Sequence, residues 1–200
     1  GLIPLGFTEI WSASFNSAII ISAGDNAEFI AFCGINLDIT IFNKENVYLP
    51  AFLKTYPFLN VEVENKDKKV NSLIAIDNNP KYVAKDKKIF ILDKEKNLSK
   101  QTASKVELIK ELNSQRAVCR RIIAELKKLD LLIKKDLRVK IEGKEEKVIL
   151  EEFYVINMEK LLKLDDKIIA GFARKGWMGI FDAHLKSISN FEKILRLNFK

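Results

Sequence analysis

The chain has 200 residues, 48% of them hydrophobic, and its 34 Lys+Arg against 27 Asp+Glu give a formal net charge of +7. That is enough apolar sequence for one core, and no interior stretch rich in Gly, Ser or Pro marks a linker, so a single domain over residues 1–200 is expected. No run approaches the ~20 apolar residues of a membrane-spanning helix, which excludes a helical permease, and the cations are interleaved with glutamates, which favours a solvated lysine-rich surface over nucleic-acid binding.

Cys33 and Cys119 fall in an apolar strand-like run and on a helical apolar face, where free cysteines pack as small hydrophobes. With His184 as the single histidine they form no zinc pattern, so neither a metal nor any other cofactor is expected. Reduced thiols suit a cytoplasmic protein. The chain begins at Gly1 and enters apolar sequence at once, so the natural N-terminus is expected to be missing, and the compartment stays open between cytoplasmic and surface-associated.

In chain order, Ala18 to Ser22 and Glu28 to Cys33 are apolar runs separated by Gly24-Asp25-Asn26, a hairpin signal. Leu37, Ile39 and Ile41 alternate with Asp38 and Thr40 as a strand would, ahead of a polar turn at Asn43 to Asn46. Val47 to Phe58 concentrates aromatic and apolar residues around Pro50 and Pro57; with proline fixing the backbone, Tyr56-Pro57-Phe58 reads first as a core corner after a strand and second as a groove lining. Val61 and Val63, a charged turn at Lys66 to Lys69, Leu73 to Ile76, and Ile89 to Leu92 complete a strand-dominated first half. From Ser104 the period changes: Leu108, Leu112, Cys119, Ile122, Ile123, Leu126 and Leu129 share a helical face, and Ser104 with Glu107 predicts a capping box. Leu137, Val139 and Ile141, then Val148 and Leu150, predict a second hairpin around Glu142-Gly143-Lys144. Asn157 is placed to cap a short helix, Asp165 or Asp166 another, and the C-terminus reads as helical with an interruption near Gly176. The fold class is therefore α+β: a mainly antiparallel sheet with a long central amphipathic helix and C-terminal helices.

Few residues offer chemistry. Ser187 follows His184 by three positions, so the two share a helix face, yet no G-x-S-x-G turn supplies a nucleophile elbow; a hydrogen-bonded packing histidine outweighs a general base. Asp77, Asp93 and Glu152 end apolar runs and match no calcium loop, which leaves turn capping. Arg116, Arg120, Arg121, Lys127 and Lys128 on the long helix are diluted by Glu107, Glu111 and Glu125, so a solvated face outweighs a phosphate track. Gly171, Gly176 and Gly179 lack the strand-to-helix setting of a phosphate loop and suggest close packing or a bend.

One pattern goes further. Val47-Tyr48-Leu49-Pro50-Ala51-Phe52-Leu53-Lys54-Thr55-Tyr56-Pro57-Phe58 resembles the YxPAxLRRYPF signature of the bacterial SapC family, and Gly176-Trp177-Met178 followed by Ala183, His184, Leu185, Ser187 and Asn190 resembles its C-terminal aHLxSLxN-like block. Leu73 to Asp77 and Ile89 to Asp93 resemble the strands between. Lys54 and Thr55 replace the family's paired arginines, so a planar bidentate contact is not carried over. The resemblance implies association with a paracrystalline surface layer and no settled reaction. The expected function is a non-catalytic accessory or protein-binding protein whose partner is another protein, a surface-layer or export component. The alternative is an enzyme on a small or peptide substrate with His184 as general base and Tyr56 or Asp77 contributing. Candidate binding residues in either case are Tyr56, Phe58, Asp77, His184 and Ser187.

Overall fold

In the computed structural model, which describes residues 1–35, 40–43, 45–64, 70–79, 90–140 and 145–198, the chain is organised as two compact units. The first comprises Gly1–Pro50 and Gln115–Lys200; the second, Ala51–Ser114, interrupts its sequence. The α+β expectation holds. Among the described residues no helix is long and apolar enough to cross a membrane.

The first unit is built on β1 (Leu2–Pro4), β2 (Ala18–Ile21), β3 (Phe29–Phe32), β6 (Leu132–Val139) and β7 (Lys147–Ile156), in the order β1-β3-β2-β7-β6, every neighbour antiparallel. β2 is the central strand, which explains its composition: Ala18-Ile19-Ile20-Ile21 has no polar alternation because all four side chains are buried, and each isoleucine so placed contributes roughly 1.5–3 kcal/mol. The hairpin expected there forms in register, Ile19 opposite Ala31 and Ile21 opposite Phe29. The second hairpin forms as β6 and β7, with a register shift between Lys135 and Leu137. Glu152 sits opposite that shift at φ 54, and its N–H donates to Asp136 Oδ1 at 2.9 Å. It therefore marks a bulge rather than the turn cap read from sequence. A short α1 (Ile10–Ala13) precedes β2, and α4 (Met158–Leu161), α5 (Asp166–Arg174), α6 (Trp177–Ser187) and α7 (Asn190–Asn198) follow β7. The caps are as read: Asn157 accepts from Lys160 N–H and Asp165 from Lys167 N–H. Gly176 separates α5 from α6 at φ 72, a left-handed turn that glycine adopts without Cβ strain.

The second unit holds α2 (Ala51–Thr55), the antiparallel pair β4 (Phe58–Glu64) and β5 (Val70–Ile76), and the first half of α3 (Lys100–Lys128). Three expectations change here. Where a strand was expected ahead of Tyr56, Ala51–Thr55 is helical. The run ending at Leu92 contributes only an isolated bridge to Leu98 among the described residues. And α3 starts four residues before Ser104, because Ser99 Oγ accepts the Thr102 N–H at 3.3 Å and does the capping. In the first unit, Ile41 lies in a 3-10 turn, Ile41–Asn43, not in a strand. Leu37, Ile39, Lys66 to Lys69, Ile89, Ile141 and Glu142 to Lys144 fall outside the described residues.

The second half of α3 belongs to the first unit. Cys119, Ile122, Ile123 and Leu126 are buried. Arg116 and Arg120 do not face solvent as a free cationic stripe: both grip Glu28, at 2.7 Å each. Lys127 donates to Gly24 O at 2.6 Å. The helix ends in a Schellman motif, with Asp130 N–H to Lys127 O and Leu131 N–H to Leu126 O, Asp130 taking the left-handed position at φ 52. The cysteines are free and buried, as read, and burial pushes Cys33 up to about 11 and Cys119 up to about 12.

Candidate functional site

The sequence-derived candidates divide between the units. Tyr56, Phe58 and Asp77 lie in the second, His184 and Ser187 in the first.

His184 and Ser187 are placed by α6, which packs on β2 and β7. Those two strands are paired at Ile21 and Tyr154 alone among the described residues. Extending that antiparallel register by two residues would set Ile19 against Ile156, and there the strands take side chains instead of each other. Ile19 N–H donates to Ser187 Oγ at 2.9 Å, and Ile156 N–H donates to His184 Nε2 at 3.2 Å. Two buried backbone donors are thus satisfied by one helix face, as the three-residue spacing allows. Ser187 completes its geometry by donating to His184 O at 2.6 Å. Asn190, one further turn on, donates from Nδ2 to Ser14 O at 2.8 Å and Ser17 O at 3.0 Å. The three polar residues of the C-terminal block therefore fasten α6 and the start of α7 to the backbone of β7, β2 and the segment after α1.

His184 is wholly buried, with the Phe29 ring edge-on at 6.0 Å. Because Nε2 accepts, the neutral ring carries its proton on Nδ1, and Nδ1 completes no hydrogen bond. Burial pushes the imidazole down to about 4, against a smaller opposing pull from the Ile19 backbone. The group is neutral at pH 7.

In the second unit, Tyr56 donates its phenol proton to Asp77 Oδ2. Asp77 also accepts the Asn79 N–H at 3.0 Å, and its own N–H donates to Pro57 O at 2.9 Å. The Tyr56 bond, then the Asn79 bond, hold the carboxyl below the usual range. Lys105 donates to Lys54 O at 2.6 Å and Tyr56 O at 2.8 Å, and burial lowers its ammonium. Phe58 is buried opposite Ile76. Asp77 and Asp93 do serve turns: Asp93 Oδ1 accepts from Glu95 and Asn97 N–H, each at 2.9 Å. Thr55, standing where the family signature has its second arginine, is buried and donates to Phe52 O at 2.9 Å.

Sequence reasoning missed two features. Tyr48, in the first unit, donates to Glu9 Oε1 at 2.9 Å, and Glu9 Oε2 accepts the Gly6 N–H at 2.8 Å. Burial and the Glu9 carboxylate hold the phenol above its usual range. A Cβ on Gly6 would collide with Gln115 Oε1, so Gly6 is closely packed, while Gly171 and Gly179 face open space. The second feature is one face of the hairpin. Leu59, Val61 and Val63 of β4 share one face with Leu73 and Ala75 of β5, and Val61, Val63 and Leu73 are 39%, 43% and 53% exposed. The signal was present as the alternation Leu59, Val61, Val63, but alternation does not say whether the apolar face meets a core. Among the described residues no three metal-ligating side chains come together.

The SapC family profile matches residues 1–194. No curated protein and no solved structure matches the chain. The chain belongs to the SapC family.

Proposed function

Starting from that membership, we propose that the chain is a non-catalytic protein-binding accessory, and that it holds a surface-layer or export component on the β4–β5 face. The observation that carries this reading is the exposure of Val61, Val63 and Leu73 on one side of a two-stranded sheet. A contiguous apolar surface is costly to leave in water and marks an interaction site, and an exposed aliphatic patch matches the apolar centre of a protein interface. Tyr56, Phe58 and Asp77 serve binding by fixing the base of the hairpin: the phenol–carboxylate bond and the Asp77 N–H to Pro57 O bond tie the start of β4 to the end of β5. His184 and Ser187 serve the fold of the first unit. The encounter with the partner takes place at the cell surface or on the cytoplasmic side of the export route.

The test is a pair of substitutions, Val61→Asp and Leu73→Asp, compared with wild type for co-purification with surface-layer and export proteins from the source cell. Loss of one such protein from both variants, with unchanged circular dichroism, is the expected result. Retention of every partner by both variants sinks the reading.

A further inference from the structure

The sheet of the first unit is joined across its middle by a seam with little backbone pairing. β1, β3 and β2 lie on one side and β7 and β6 on the other. The seam consists of the Ile21–Tyr154 pair and the two bridges that α6 supplies, Ser187 to Ile19 and His184 to Ile156. We infer that this seam is a proton-operated joint, closed while His184 Nε2 accepts the Ile156 amide and opened when that nitrogen takes a proton. The step needs only solvent: a proton adds to the Nε2 lone pair, the hydrogen bond from Ile156 is lost with that lone pair, and two donors are left facing each other beside a buried unit charge.

Among the described residues no charged side chain acts on the ring. β2, β3 and α1 carry no titratable side chain. On β7 Lys147, Glu151 and Glu152 are exposed and Tyr154 is half-buried; on α6 Asp182 and Lys186 are exposed; on α5 so are Asp166, Lys167 and Arg174. Among the described residues none of these acts on the imidazole, and the group that favours its charged form is the Ile19 backbone alone. An unpaired buried charge is among the most costly arrangements a fold can hold, so the ring escapes it either by staying neutral or by leaving its site. The Ser187 bridge does not titrate, which confines the first break to the Ile156 side.

The experiment is amide hydrogen exchange by NMR on the full chain, corrected for intrinsic rates, from about pH 7 to about pH 4. Protection at Ile156 is expected to fall over that range by about tenfold or more beyond any fall at Ile122 and Ile123 of α3, whose exchange reports global unfolding. In His184→Gln, whose amide oxygen can accept without titrating, the step is expected to vanish. Constant protection at Ile156, a fall at Ile122 and Ile123 as large as that at Ile156, or the same step in His184→Gln each overturns the joint. Should the glutamine variant fail to fold, the wild-type imidazole nitrogen shifts decide: a ring protonated on Nδ1 alone down to about pH 5 agrees, and an imidazolium already formed at about pH 6 does not.

Discussion

In the first unit β2 places Ala18, Ile19, Ile20 and Ile21 wholly inside, whereas in the second β4 and β5 turn Val61, Val63 and Leu73 toward solvent. The edges differ in the same sense. The five-stranded sheet ends on one side in the three-residue β1, which includes Pro4, and on the other in β6, which carries Lys134, Lys135, Asp136 and Arg138. Short, proline-bearing or charged edges resist pairing with other chains. Similar β-formers thus stabilise one sheet and leave an apolar surface on the other, which is where we propose that the partner is held.

Substitutions can break or sharpen that contrast. The largest effect is expected at Phe29→Ala, where a fully buried ring is lost; about 3–5 kcal/mol of unfolding free energy should disappear in urea titration. Next comes acid. Burial holds the His184 imidazole down to about 4, below its ordinary value of 6.5, so the folded state favours the neutral ring. The stability this confers is fully present above pH 6.5 and is lost as pH falls toward 4. The loss is about 3 kcal/mol, measurable as a drop in the urea midpoint that His184→Gln should flatten. Ser187→Ala strips the acceptor from the buried Ile19 N–H and should cost about 1–3 kcal/mol by the same assay. In the second unit Ser99→Ala removes the cap of α3 and should cost about 1 kcal/mol. Smallest of all, Leu73→Ser should move stability by no more than about 0.5 kcal/mol while weakening partner binding. A cost of several kcal/mol there would mean that Leu73 is a core residue and would erase the contrast.

What was legible in the sequence was local. The runs around Gly24-Asp25-Asn26 and the caps at Asn157 and Asp165 declare themselves through turn chemistry and need no tertiary partner. The start of α3 was misplaced because two serines compete: Ser104 with Glu107 has the better box, but Lys100 to Ala103 are helical and Ser99 already supplies the acceptor. Ala51–Thr55 was hidden by the flanking prolines, which argue for extended chain on either side without forbidding one helical turn between them. The work of His184 and Ser187 could not be read, because it depends on β2 and β7 having one paired position among the described residues, a property of two strands more than 120 residues apart. Arg116 and Arg120 looked solvent-facing for the same reason: Glu28 meets them only after the chain folds.

Site-specific photocrosslinking in the source cell tests the division of labour most directly, with the photoreactive residue placed in turn at Val61, Val63 and Leu73 of the hairpin and at Lys135 and Arg138 of β6. The expected result is an adduct to one surface-layer or export protein from the hairpin positions and none from β6. Adducts from β6 with none from the hairpin would contradict the assignment of recognition to the second unit.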